Sequence, residues 1–156
     1  MKRFLKKILV KLRILDRQSN HKESIRKDVE VIPVQPNLEF VVYWKVLEVG
    51  KGPALILKAY GKEILKFDCF GKNDGHFHAA PDYGKRIFFE EQTASAQIEQ
   101  TESELKANAQ FYLESQEEVR IRKIKIDQEN FKTAIDVAKK KLNHFLQTIP
   151  ELEEIR

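Results

Sequence analysis

The sequence predicts an α+β fold: an antiparallel sheet of about five strands packed by a C-terminal helix, with a basic amphipathic helix at the N-terminus. Residues 39–90 contain runs rich in β-branched and aromatic residues, separated by short glycine-containing segments, as expected of neighbouring strands. Residues 127–149 instead repeat apolar side chains at steps of four and three, the period of a helix that buries one face. The length of 156 residues suits a single domain.

Turn residues divide the strand-rich part of the chain. Gly50 to Pro53 closes the first strand, and Gly61-Lys62 is a two-residue connection whose glycine suits a type II′ hairpin turn. Further along, apolar residues alternate within residues 118–126, which predicts a returning strand with a bulge where the phase slips. The predicted strands are residues 39–49, 54–60, 63–70, 85–90 and 118–126.

Two helices are predicted after the first four strands. Residues 91–118 are rich in Glu, Gln, Ala and Ser, and their apolar residues recur mainly at every seventh position, so we expect a poorly buried, exposed helix. The C-terminal helix begins after Asp127, a suitable N-cap, and ends near Pro150. Three residues on its apolar face are predicted to be buried against the sheet: Ile135, Leu142 and Phe145.

The N-terminal part of the chain differs from the rest in charge. Residues 1–17 place apolar side chains on one side of a helix and basic ones on the other, whereas residues 18–37 are predicted to be a linker and an extended lead-in to a domain at 38–150. Residues 1–27 contain ten of the 28 Lys and Arg but only two of the 24 Asp and Glu, so their net charge is +8 and that of the remainder is −4. An anionic partner is therefore expected to meet the N-terminal segment.

Two groups of basic residues are candidate contacts for nucleic acid or another anion. They are Lys6, Lys7, Lys11 and Arg13 of the N-terminal helix, and Arg120, Arg122 and Lys123 of the predicted strand. The N-terminal helix has alternative uses: it could dock on the sheet, bind a protein, or lie on a membrane surface. The alternative for the second group is a solvated strand face.

Residue types also limit the location and the chemistry. The single cysteine, Cys69, excludes an internal disulfide framework and indicates a reducing compartment. Every apolar run is far shorter than the length of about 20 residues that is needed to cross a bilayer. Lysines interrupt the N-terminal segment where a secretory signal would lie. We therefore expect a cytoplasmic protein, with peripheral membrane attachment as an alternative. Because Walker, dinucleotide, HExxH and serine-elbow motifs are absent, no cofactor and no metal are expected.

The most concentrated chemistry surrounds a histidine pair. His76 and His78 are two positions apart, so in an extended segment their side chains point to one face. With Asp68, Asp74 or Asp82, the pair could act as general base and acid or bind a metal. The plainer alternative is that both histidines cap backbone groups beside a glycine-rich loop. The catalytic candidates are Asp68, His76 and His78.

The strand that ends in Lys66-Phe67-Asp68, followed by His76 and His78, resembles a motif of small bacterial domains of unknown function, Phe-Asp-Cys-Phe and then His-x-His. More distantly, it is similar to TumE-like toxins of bacterial toxin–antitoxin pairs over about residues 38–90, where these residues match a basic–aromatic–Asp unit and the later histidines. The resemblance implies a toxin-like protein that acts on RNA. The alternative class is a non-catalytic binding module, which its basic N-terminal helix recruits to a protein partner or an anionic membrane surface.

Overall fold

Six β-strands form one antiparallel sheet, in which every strand pairs with its neighbours along the chain. The computed structural model describes residues 25–156, so the basic helix predicted over residues 1–17, with Lys6, Lys7, Lys11 and Arg13, lies outside the described residues. The strands are β1 (Lys27–Gln35), β2 (Leu38–Leu47), β3 (Gly50–Ala59), β4 (Lys62–Asp68), β5 (His76–Ala79) and β6 (Asp82–Phe88). The α+β architecture predicted from the sequence is confirmed.

Strand β1 takes the place of part of the predicted linker and lead-in. Val31 pairs with Val41 and Ile32 pairs with Phe40, so the sheet begins well before residue 38. Pro33 is compatible with this strand because β1 lies at the edge of the sheet. A residue of an edge strand can lack an N–H donor, since only one side of the strand forms hydrogen bonds with a neighbouring strand.

Both early hairpin turns differ from the predicted ones. Gly50 to Pro53 extends β3 and pairs with β2, so the first turn precedes Gly50. A side chain at Gly50 would collide with the ring of Phe70, which explains a glycine at the first position of β3. Between β3 and β4, Tyr60 and Gly61 both have positive φ angles, 51° and 74°, which define a type I′ turn in place of type II′.

Helical elements follow the sheet: α1 (Ala94–Glu114), α2 (Val119–Arg122), α3 (Gln128–Thr148) and a 3₁₀ helix (Pro150–Ile155). The fifth strand predicted over residues 118–126 is therefore wrong, because the chain forms α2 and then an irregular segment there. Ile121 and Ile124 are both buried. Their spacing of three suits one side of a helical turn as well as a bulged strand, so the apolar pattern is ambiguous.

Helix α1 is buried along its inner face, contrary to the prediction of an exposed helix. The buried residues are Ala94, Gln97, Ile98, Thr101, Leu105, Ala109 and Leu113. Several of them are small or polar, so an apolar pattern alone underestimates the face that packs. The hydroxyl of Thr101 donates a hydrogen bond of 2.8 Å to the carbonyl of Gln97, which helps a polar residue to be buried there.

Helix α3 begins at the predicted N-cap, where the Asp127 carboxylate accepts a hydrogen bond of 3.0 Å from the backbone N–H of Asn130. Ile135, Leu142 and Phe145 are buried as predicted, and the helix packs across β1, β2 and β3. Within residues 25–156, no helix is both long and apolar enough to cross a membrane.

The two faces of the sheet differ in chemistry. The face covered by the helices carries the main core, to which β2 contributes Phe40, Val42 and Trp44. The opposite face has a separate, small apolar cluster of Val41, Tyr43, Ala54 and Ile56. Beside this cluster, β4 and β5 direct titratable side chains to the same face, and these form the candidate site.

Candidate functional site

The strand register brings the three predicted catalytic residues together. Asp68 on β4 pairs with His76 on β5, and Lys66 pairs with His78. Because side chains two apart share a face of a strand, all four point away from the helices. One ligand atom from each of Asp68, His76 and His78 lies within 4.8 Å of the others. The exposed Asp82, at the start of β6, does not belong to this group.

Both histidine rings are held through their Nδ1 atoms. His76 Nδ1 lies 2.7 Å from the carbonyl oxygen of Asp74, and His78 Nδ1 lies 2.8 Å from that of Tyr83. A carbonyl only accepts, so each Nδ1 carries the hydrogen and donates it. One nitrogen of each ring thus serves the backbone, as the plainer interpretation of the sequence expected. The other, Nε2, keeps a lone pair in the neutral ring that can accept a proton or bind a metal.

The carboxylate of Asp68 lies between a histidine and a lysine. Its Oδ2 is 3.4 Å from Nε2 of His76, and its Oδ1 is 2.8 Å from Nζ of Lys45. All three side chains are buried, with only 2% of Asp68 exposed. The ion pair with Lys45 is the contact that Oδ1 makes, and within residues 25–156 no further hydrogen bond to this atom is formed.

Burial sets the protonation of this group. It lowers the pKa of His76. The hydrogen bond to the Asp74 carbonyl and the charge of Asp68 raise that pKa, but they do not offset burial. Burial likewise lowers the pKa of His78, and the charge of Lys66 adds to that effect. Both imidazoles are therefore neutral at pH 7, with Nε2 free to act as a base or a ligand. Burial also lowers the pKa of Lys45, while the charge of Asp68 opposes this shift.

Two tyrosines complete the surroundings of the site. The ring of Tyr83 lies 5.5 Å from that of His78, and Nζ of Lys45 lies 5.9 Å from the ring of Tyr43. Among the described residues, the buried side-chain polar atoms without a hydrogen-bond partner are the hydroxyls of Tyr43 and Tyr83 and Oδ1 of Asp68. Burial raises the pKa of both phenols, so both hydroxyls keep their protons. Unmet hydrogen-bonding capacity is thus concentrated around the histidine pair.

A buried glutamine of α1 fixes the loop that precedes His76. Gln97 accepts a hydrogen bond of 2.9 Å from the N–H of Gly71, and its amide donates another of 2.9 Å to the carbonyl of Glu91. The side chain of Gln97 also fills the space that a side chain at Gly75 would need. The β4–β5 loop is therefore anchored to α1, which positions His76 directly after it.

Cys69 follows Asp68 but belongs to the other side of the sheet. Its Sγ lies 3.6 Å from the hydroxyl of Thr101 on α1. Burial raises its pKa to about 12, so the thiol stays protonated at neutral pH. This environment is that of a structural cysteine and not of a nucleophile.

The second basic group of the sequence lies away from the histidine pair. Arg120 forms an ion pair with Glu118 and stacks on the ring of Tyr60, and Arg122 donates hydrogen bonds to backbone carbonyls near the end of α1. Lys123 is exposed at the end of α2. Arg120 and Arg122 thus have local structural contacts, and the structure does not bring any of the three to Asp68.

Two residues of the site were not predicted from the sequence. Lys45 occupies a strand that is otherwise apolar over several positions, and a charged residue there was a signal of a buried partner. Tyr83 precedes the strand predicted over residues 85–90, but it lies in β6 and its carbonyl accepts the hydrogen bond from His78. No family model, curated protein or solved structure matches this chain.

Proposed function

We propose that this protein cleaves phosphodiester bonds in RNA at the site formed by Asp68, His76 and His78. The observation that carries the proposal is the convergence of two imidazoles and one buried carboxylate on a single face of the sheet, where one nitrogen of each ring and one carboxylate oxygen lie within 4.8 Å of one another. His78 is the half-buried member of the group, so it is the residue that reaches the substrate. His76 and Asp68 are buried and hold the group in place.

Cationic side chains around the histidines favour a phosphate-containing substrate. Lys66 is paired with His78 across β4 and β5, and its ammonium lies 5.7 Å from the ring of Tyr83. Arg26 lies over the ring of Tyr43, and the charge of Arg86 acts on His76. Arg26 is also paired with Glu63 at 3.0 Å, so a polyanion near this face would meet the charges of Lys66 and Arg86. Such contacts dominate the affinity of proteins for nucleic acids. The resemblance to TumE-like toxins points to RNA.

The charge distribution supports a second candidate, a binding module recruited through its N-terminus. Residues 1–27 carry +8 while the rest of the chain carries −4. An amphipathic basic segment of this kind binds anionic membrane surfaces or an apolar groove of a protein partner. In this alternative the histidine pair has no substrate, and association depends on residues 1–17 alone.

The proposal is tested by incubating the purified full-length protein with labelled single-stranded RNA of mixed sequence. Parallel reactions contain either EDTA or added Zn²⁺ or Mn²⁺, so cleavage is detected with or without an ion. His78→Ala should slow cleavage by about 100-fold or more, because it removes either an acid–base group, which contributes about 10²–10⁴-fold, or a ligand of an ion at the site. The matched control, His144→Ala, changes an exposed histidine of α3 and should leave the rate unchanged. Intact RNA under all conditions, or full activity of His78→Ala, would contradict the proposal.

A further inference from the structure

We propose that Asp68, His76 and His78 bind one divalent transition-metal ion, through Oδ2 of the aspartate and Nε2 of each histidine. The sequence contains no recognised ligand motif, so a metal was only an alternative use of the histidine pair and was not expected. Three features of the site favour a metal: the distance between His76 and Asp68, the orientation of the two histidine rings, and the free coordinating capacity of the Asp68 carboxylate.

The separation of Nε2 of His76 and Oδ2 of Asp68 suits two ligands of one ion. At 3.4 Å, it is longer than the about 2.9–3.0 Å of an ordinary N–H···O hydrogen bond. With Nδ1 carrying the hydrogen, both atoms are acceptors, so a direct contact between them lacks a proton. Two ligands at about 2.0–2.1 Å from a tetrahedral zinc ion are about 3.3 Å apart. A bound cation would therefore explain the spacing and remove the repulsion of the two lone pairs.

The orientation of the rings matches that of metal-binding histidines. Such a histidine typically donates its second ring N–H to a backbone carbonyl or a carboxylate, which fixes the ring and the tautomer. His76 and His78 both donate from Nδ1 to backbone carbonyls, of Asp74 and Tyr83. The two Nε2 atoms are thus prepared as ligands before an ion arrives.

The aspartate can serve an ion and Lys45 at the same time. Lys45 contacts Oδ1, which leaves Oδ2 for the ion. Apart from Lys45 and His76, no side chain of residues 25–156 forms an ion pair or hydrogen bond with this carboxylate, so its protein contacts leave room for a further partner. Two imidazoles and one carboxylate suit Zn²⁺ and several other first-row ions, and three protein ligands leave a coordination position open for water or substrate. The half-buried His78 marks the side from which that position is reached.

The role of the ion as a cofactor rests on the proposed RNA cleavage. The binding of the ion does not depend on that function. A bound ion would supply a Lewis acid for a phosphoryl oxygen or a water molecule. Ion uptake without RNA cleavage would leave the metal site standing and refute the function. RNA cleavage in EDTA by a protein that takes up no ion would support the function and refute the metal site.

The test measures Zn²⁺ uptake by the full-length protein after treatment with a chelator and dialysis. We expect one ion per chain and an increase in melting temperature on adding Zn²⁺. His76→Gln and His78→Gln should each weaken binding at least about tenfold, since loss of even an outer-shell partner typically costs 10–100-fold. The control is the double variant of the chain's other histidines, His21→Gln and His144→Gln, which should bind as the wild type does.

Circular dichroism verifies that each variant is folded. If either histidine variant unfolds, X-ray absorption of the wild-type zinc complex decides, because the proposal requires two imidazoles in the coordination shell. Absence of Zn²⁺, Co²⁺ and Mn²⁺ uptake, unchanged uptake in both folded histidine variants, or a shell without imidazole would overturn the inference.

Discussion

Replacing Lys45 with methionine removes the cation that faces the buried carboxylate of Asp68. The two side chains are 3% and 2% exposed, and the charged atoms are 2.8 Å apart, so the pair belongs to the buried class. An exposed ion pair contributes about 0–1 kcal/mol, whereas removing one partner of a buried pair typically costs about 3–5 kcal/mol. We therefore expect Lys45→Met to lower the free energy of unfolding by about 3–5 kcal/mol, because the carboxylate stays buried without its partner.

The assay is urea unfolding in the presence of EDTA, in which the midpoint falls while the slope of free energy against urea stays unchanged. Asp68→Leu should cost a similar amount, because it leaves Lys45 buried and unpaired. The double variant, with two apolar residues in place of the pair, should lose far less than the sum of the two single variants. A loss below about 1 kcal/mol for Lys45→Met, or additive losses in the double variant, would refute the reasoning.

Three further predictions concern the core, the loop and the N-terminus. Leu142→Ala should lower the free energy of unfolding by about 2–5 kcal/mol, because Leu142 is buried in the core. Val137→Ala, on the exposed side of α3, should change it by at most about 0.5 kcal/mol. Equal effects of the two variants in urea unfolding would contradict the packing. Gln97→Ala should lower the free energy of unfolding by about 1–3 kcal/mol, because it leaves the buried N–H of Gly71 in the β4–β5 loop unpaired. A loss no larger than that of Gln100→Ala, which removes an exposed hydrogen bond, would contradict the anchoring. Deleting residues 1–24 should keep the melting temperature but abolish salt-sensitive binding to anionic vesicles, and a large fall in melting temperature would show that the segment belongs to the core.

The central strands and the last helix were predictable because their sequence patterns have one interpretation. Residues 39–49 are dense in β-branched and aromatic residues, as a buried strand is, and the apolar steps of four and three after Asp127 fit only a helix. The segment of residues 118–126 has no such unique pattern. Ile121 and Ile124 suit a bulged strand or a helical turn, and packing beneath the end of α1 decides between them.

The candidate site was predictable where neighbours in sequence are also neighbours in space. The spacing of His76 and His78 places them on one face, and the pairing of β4 with β5 brings Asp68 beside them. Lys45 comes from β2, two strands away from β4, and nothing local in the sequence indicates that its ammonium reaches Asp68. Gln97 is a similar case, because a polar residue on a helix is normally assigned to the solvent side.

RNA cleavage at the histidine pair is the function proposed for this protein. The most direct measurement is the ratio of the initial rates at which the wild type and His78→Ala cleave one labelled RNA, under the ion condition that gives the higher wild-type rate. We expect a ratio of about 100 or more, with His144→Ala as fast as the wild type. A ratio near one, or cleavage that is absent from the wild type, would contradict the proposed function.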